Sequence, residues 1–251
     1  MTLVRVRELL DLVWSQSCVG CAQVGTGWCD ACRERLRGAG PVRAAPEPCP
    51  AGMPTTWAGT TYSETASVVI RAWKDDDRPH LGATLVPLLA RALRQAVSGS
   101  PTWQHALRER PALVVPVPSR PAGTRHRGRY PVYELVRRLV SRSPEAMRPL
   151  PALAVSPAVR DQAGLTHEAR ADNLAGSMWV RAPHRDVLRG MPVVLVDDVV
   201  TTGATLAEAA RVLTRCGAGP LLAVTVAATP RHRGSCAGQG VTTFCVERGH
   251  G

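Results

Sequence analysis

The stretch VVLVDDVVTTGATLAEA, Val193 to Ala209, sets four apolar residues before two adjacent aspartates and then places three threonines around one glycine. An apolar run of this length, bounded by polar residues, suits a strand covered on both faces, as in a parallel α/β sheet. Asp197 and Asp198 then fall at its carboxyl end, where open α/β sheets bind ligands. Thr201, Thr202 and Thr205 supply hydroxyl donors, and Gly203 lets the backbone approach closely or take positive φ. Helical spacing from Thr205 through LAEAARVL adds a helix N-terminus, whose unpaired N–H groups and dipole favour an anion. A phosphate suits this loop. Carboxylates in contact with it would repel it, so they belong beyond it, accepting hydrogen bonds from the hydroxyls of an attached sugar. A ribose 5-phosphate satisfies both halves. Neither G-x-x-x-x-G-K-[ST] nor G-x-G-x-x-G follows the strand, so the cradle is of another kind. The competing reading is a generic strand, an Asp-capped turn and a helix.

Outward from this stretch, 251 residues with 45% hydrophobic content leave room for one domain plus a small appendage, or for two domains. No run approaches the roughly 18 apolar residues of a membrane helix. The opening MTLVRVRELLDLVW has amphipathic spacing unlike a signal peptide, so a cytoplasmic location is expected. A formal charge of +11 and a pI near 10.1 invite a nucleic-acid partner, with Arg125, Arg127 and Arg129 as the densest basic cluster. Lys74 is the only lysine, however, and abundant Ala, Gly and Pro suggest a compositional bias acting on the whole chain. Aromatics at 4%, with one Phe, also disfavour a platform of stacked bases, which leaves nucleic-acid binding a secondary reading.

Eight cysteines in a cytoplasmic chain point to metal or chemistry rather than disulfides. Cys18 and Cys21 form C-x2-C, and Cys29 and Cys32 form a second. Four thiolates give the closed tetrahedral shell of structural zinc, with no position left for a catalytic water. Cys49, Cys216, Cys236 and Cys245 lack such spacing and read as inert thiols.

The chain divides accordingly. Residues 1–38 carry an N-terminal helix and the zinc knuckle, and the Pro- and Gly-rich residues 39–56 read as a linker. Residues 57–109 read as helical, with Ser63 as an N-cap and Gly82 near the start of a second helix. Residues 110–230 alternate strands (LVVPVPSR, LPALAV, the Val193 run, LLAVTVAA) with helices such as PVYELVRRLV, which predicts an α/β fold, a parallel sheet flanked by helices. The tail, 231–251, has no legible element. A linker further predicts that losing the knuckle leaves ligand affinity in the core intact.

Val193 to Thr205 resembles the phosphoribosyl diphosphate (PRPP) binding motif of type I phosphoribosyltransferases: apolar residues, two acids, apolar residues, then T-T-G-x-T. The chain from Leu9 to Pro230 resembles the ComF family of competence-associated proteins. The resemblance rests on the paired C-x2-C motifs, on VVPVPSR with RHRG, and on VRDQAGLTHEARADNLAG, which looks like the family's R-x-Q-x-x-L-[ST]-x-x-x-R-x-x-N block. The chain departs from the family's usual G-F-N-Q, since Gly128 is followed by Arg129, Tyr130 and Pro131.

The resemblance implies transfer of phosphoribose from PRPP to an unidentified nitrogen acceptor, with release of pyrophosphate. It implies that Asp197 and Asp198 bind the ribose 2- and 3-hydroxyls, and that Thr201, Thr202, Gly203 and Thr205 bind the 5-phosphate. Ser119 and Arg120 match the loop that receives pyrophosphate, and Arg160, Gln162, Arg170 and Asn173 lie where such enzymes carry a mobile catalytic loop. Guanidinium groups of Arg160 and Arg170 would assist the departing pyrophosphate, with Mg²⁺ bridging pyrophosphate and ribose hydroxyls. An exposed charged loop is the alternative for these arginines. Residues 57–97 would form a hood over the acceptor, where Tyr62, Trp73, Lys74 or Asp75 to Asp77 either face it or pack and solvate helices. No general base stands out. Two other functions stay open: a non-catalytic, PRPP-responsive component of DNA uptake that docks a competence-machinery partner through its zinc knuckle, and a nucleic-acid binder. Oligomers are compatible with each.

Overall fold

The structure, a computed structural model, describes residues 17–38, 40–76, 78–119, 128–142, 146–156 and 176–230, together with the backbone of 243–248. Its centre is a seven-stranded sheet formed by β1 (Val42–Glu47), β2 (Thr55–Thr61), β3 (Ala112–Pro116), β4 (Met147–Pro149), β7 (Val193–Val200), β8 (Leu221–Ala228) and β9 (Thr243–Arg248), in the spatial order β4-β3-β7-β8-β2-β1-β9. The five strands from β4 to β2 are parallel, and β1 and β9 continue the sheet antiparallel. Two short strands, β5 (Leu153–Val155) and β6 (Met178–Val180), pair separately.

Helices cover both faces, which explains the unbroken apolar runs. Along β7, Val194 and Val196 join one core cluster and Val193 and Leu195 the other, as strand alternation requires. The first cluster holds α2 (Glu64–Lys74), α3 (Gly82–Ser98), Trp103 of α4 (Pro101–Glu109), and α5 (Pro131–Val140); the second holds α7 (Ala204–Arg215), Leu188 of the single turn α6 (Arg185–Leu188), and the β5–β6 pair. The Ser63 hydroxyl accepts from Ala66 N–H at 3.2 Å, so the expected N-cap starts α2. A Cβ added at Gly59 on β2 would meet the Leu88 carbonyl oxygen at 2.5 Å, so the glycine sets how closely α3 lies on the sheet.

Three segment readings need correction. The stretch 39–56 is not an open linker, because it contains β1 and the start of β2. The region 57–109 is not wholly helical, because most of β2 opens it. The tail contributes β9, paired with β1 from Val42↔Arg248 to Glu47↔Thr243. The misreading came from composition: Pro46 lies in β1 past the Val42–Ala44 stretch in register with β2, so its missing N–H breaks no bond of that ladder. The small N-terminal module has α1 (Asp30–Arg37), whose Cys32 and Leu36 join the core cluster that also holds Ala66, Val69, Ile70 and Trp73 of α2.

Candidate functional site

The carboxyl ends of β3 and β7 bring the site together. Strand β7 continues to Val200, so Asp197 and Asp198 lie within its last pleats rather than beyond it. Adjacent strand residues face opposite sides: Asp198 shares the face of Val194 and Val196, and Asp197 that of Val193 and Leu195. Asp197 Oδ1 accepts from Asp198 N–H, and Asp198 Oδ1 accepts from Val199 N–H, each at 2.8 Å, so the main chain fixes one oxygen of each carboxylate. Asp198 is only 7% exposed. The Lys74 ammonium, at the C-terminal end of α2, donates to Asp198 Oδ2.

Charge explains the shape of this cluster. Burial first, and then the charge of Asp198, pushes the Asp197 carboxyl well above the ordinary carboxylate range, against the opposing pull of Lys74. Burial lowers the pKa of Lys74, but attraction to Asp198, their hydrogen bond and the charge of Asp197 outweigh it and leave the ammonium above its usual value.

The loop after β7 places Thr201 on the surface and leaves Thr202 and Thr205 half-buried. Thr202 Oγ1 accepts from Ala204 N–H at 3.3 Å. Gly203 takes φ +74° at the N-terminus of α7, and its position offers no side chain to cap the first turn. A Cβ there would also meet Met53 Sδ at 2.4 Å and Pro46 Cγ at 3.0 Å. Glycine is therefore required by conformation, and the Met53 side chain and Pro46 of the 39–56 stretch lie against the place a Cβ would take. Together the helix N-terminus and the threonines set N–H and hydroxyl groups beside two carboxylates.

Ser119 follows β3 and lines a cavity of about 440 Å³ with Val117, Tyr130, Tyr133, Leu153 and Arg181. Arg120, Arg160, Gln162, Arg170 and Asn173 lie outside the described residues, as do Asp77, Arg125 and Arg127. Arg129, expected in a basic surface cluster, is instead committed inward. It makes a two-point ion pair with Glu134 at 3.0 and 2.6 Å and donates to the Trp73 carbonyl at 2.8 Å. Among the hood residues, Trp73 is fully buried and the Tyr62 hydroxyl donates to Ser67 Oγ at 3.1 Å. Sequence reasoning underrated Lys74, whose one signal is being the sole lysine among 31 basic residues.

The Sγ atoms of Cys18, Cys21, Cys29 and Cys32 all lie within 4.8 Å of one another. A tetrahedral zinc with Zn–S of about 2.3 Å needs sulfurs about 3.8 Å apart, so the four residues fit such an ion. Backbone N–H groups of Cys29, Gly20 and Cys21 outweigh burial and bring the Cys18 thiol down to about 6, whereas burial and the adjoining sulfurs push Cys32 up to about 12, with Arg35 opposing. The four thiols could hold a metal ion such as zinc.

Residues 123–238 match the family model described as the phosphoribosyl transferase domain, a span that includes Asp197, Asp198 and the threonine loop. The mostly parallel sheet flanked by helices is consistent with the fold of type I phosphoribosyltransferases, and a four-cysteine cluster compatible with a zinc module precedes the matched span. Two relatives are adenine phosphoribosyltransferases, from Mycobacterium avium (strain 104) and from Mycolicibacterium paratuberculosis (strain ATCC BAA-968 / K-10). Each is 42% identical over 74 residues, which is 29% of this chain. The chain spans 39% of the length of these curated relatives. Among the described residues, no helix is long and apolar enough to cross a membrane.

Proposed function

We propose that the chain binds PRPP with Mg²⁺ and transfers its phosphoribose to a nitrogen acceptor. The C1–O bond to pyrophosphate breaks with its electron pair leaving on pyrophosphate, a C1–N bond forms, and the acceptor nitrogen releases its proton to solvent. Asp197 and Asp198 hold the ribose hydroxyls, the cradle from Thr201 to Thr205 holds the 5-phosphate, and Ser119 and Arg120 receive pyrophosphate. Arg160, Gln162, Arg170 and Asn173 serve the catalytic loop. Mg²⁺ supplies positive charge that spreads the load on the leaving group. The observation that carries this reading is the pair of carboxylates directly before a glycine-built anion cradle, inside the span that matches the phosphoribosyl transferase domain. The four-cysteine cluster ahead of this core supports a ComF-type protein with structural zinc, and free thiols suit the reducing cytoplasm.

Calorimetry with PRPP and Mg²⁺, followed by a screen for pyrophosphate release with purine and pyrimidine bases, tests the proposal. Adenine comes first, because it is the base named for the relatives. The variant Asp197→Asn with Asp198→Asn should weaken PRPP and ribose 5-phosphate by at least about tenfold, and leave inorganic phosphate nearly unchanged. Valine at Thr201, Thr202 and Thr205 should weaken all three ligands. Unchanged PRPP affinity in the well-folded double Asn variant would remove the ribose assignment.

A second reading, a nucleic-acid-associated component of DNA uptake without catalysis, is favoured by one observation. Arg185, Arg189, Arg211 and Arg215 line a cavity of about 770 Å³ beside the exposed indole of Trp179. It predicts PRPP binding with no pyrophosphate release for any base, and single-strand binding whose log K falls by about 0.7 per neutralised phosphate for each decade of salt.

A further inference from the structure

We propose that Lys74 is a positioning residue of the phosphoribose site: its ammonium keeps Asp198 aimed at the sugar and offsets the mutual repulsion of Asp197 and Asp198. The inference deepens the PRPP reading and rests on it.

Three observations converge. The first is the ion pair itself, joining the last residue of α2 to a β7 carboxylate 124 residues away in sequence. The second is enclosure. Asp198 is buried, and Lys74 follows Trp73, which is fully buried in the core, so the α2 end that carries the ammonium is anchored rather than drifting in solvent. The third is residue identity. A chain that uses arginine for every other basic position keeps one lysine, and it lies on the acid pair.

The geometry of the two cations explains the exception. A guanidinium presents a planar fork that takes both oxygens of a carboxylate at once. An ammonium is a compact point charge, and here it engages Oδ2 alone while Val199 N–H holds Oδ1. Each oxygen keeps a second lone pair for a sugar hydroxyl. An arginine in the same place would compete with the sugar, and an uncharged residue would leave two adjacent carboxylates with no cation between them.

Other charges near the ammonium are few. Asp75 adjoins it at the end of α2, Asp198 faces it from β7, and Asp197, on the other face of the strand, acts on it through its charge alone. Arg129, before α5, is bound to Glu134 and the Trp73 carbonyl. Among the described residues, Lys74 is therefore the cation that answers the acid pair.

The test is PRPP–Mg²⁺ affinity by calorimetry from pH 6 to pH 9, for the wild type, Lys74→Met and Lys74→Arg, with melting curves for each. Affinity ratios between variants at one pH cancel the titration of the ligand's own phosphates. Lys74→Met should bind at least about tenfold more weakly at pH 7 and recover part of the loss as pH rises, because without the ammonium the second carboxylate ionises only at higher pH. Lys74→Arg should keep the wild-type pH profile but bind PRPP and ribose 5-phosphate more weakly. Inorganic phosphate should bind all three proteins alike. Should Lys74→Met fail to fold, Lys74→Gln makes the same comparison. A folded neutral variant with wild-type affinity, or one weakened equally at every pH, overturns the positioning role while leaving the PRPP reading standing. A wild type that binds neither PRPP nor ribose 5-phosphate overturns the reading itself, and the inference falls with it.

Discussion

At the scale of single residues, the site places an acid where it is uncomfortable. Asp197 is held well above the ordinary carboxylate range by burial and by the neighbouring charge of Asp198. An acid whose pKa is raised by folding keeps a proton that the unfolded chain releases near pH 4, so its contribution to stability falls as pH rises from there toward the folded-state value. Asp197→Asn removes that loss. Its melting temperature should match the wild type below about pH 4 and exceed it by a few degrees at neutral pH, about 1 kcal/mol moving a chain of this size by roughly 2–4 °C. A variant no more stable than wild type at pH 7 would show that the carboxylate is not strained. The strand, the glycine turn and the helix of this stretch were legible in the sequence, because they depend on near neighbours in the chain. Lys74 was not, because its partner lies 124 residues away and only the fold brings them together.

At the scale of elements, the runs that packing demands on both sides were the readable ones. The β7 and β8 strands, α2 behind its Ser63 cap and α5 each carry a periodicity that burial imposes. Strand β1 has only a half-buried alternation and a proline, so turn-like composition masked it. Helix α4 was overlooked although Ser100 caps it and Pro101 opens it, a pairing that marks helix starts. One contact between elements was equally hidden. Glu208 on α7 is 6% exposed, makes a two-point ion pair with Arg211 at 2.7 and 2.8 Å, and accepts from Gly176 N–H at 2.9 Å and Met178 N–H at 3.4 Å. It ties α7 to the start of β6. Glu208→Ala leaves two backbone donors and a guanidinium without their acceptor and should cost about 2–3 kcal/mol, read from denaturant melts. The paired arginine and the N–H donors hold Glu208 below the usual range against the cost of burial. Its contribution is therefore present above about pH 4.5 and fades as pH falls, so the deficit of the variant should shrink in acid. A deficit independent of pH would count against the ionic part of the clamp.

At the scale of the whole molecule, a cysteine module and an α/β core are separable in the sequence, but the way the two are joined is not what a linker implies. Cys18, Trp28, Cys29, Cys32 and Leu36 pack in the same cluster as α2 and α3, so the module is one wall of the core rather than a pendant. Composition could not show this, because shared packing is a property of the folded surface. The purified chain should hold about one zinc. The pair Cys18→Ser and Cys29→Ser should lose it and lower the melting temperature. Because α2 carries Lys74 to Asp198, PRPP affinity should fall as well, contrary to the expectation from a linker. Metal analysis, melting and calorimetry on the same samples check this, and full affinity in a zinc-free protein would mean that the module and the site are energetically separate.

The solitary lysine has a practical side. An amine-selective reagent meets one internal address in this chain, and a lysine-specific protease meets one cleavage point, both at the α2 end of the acid pair. Whether that address is open or shielded can be followed by intact mass in unlabelled wild-type protein, so the chain carries a built-in chemical reporter of what occupies its own site.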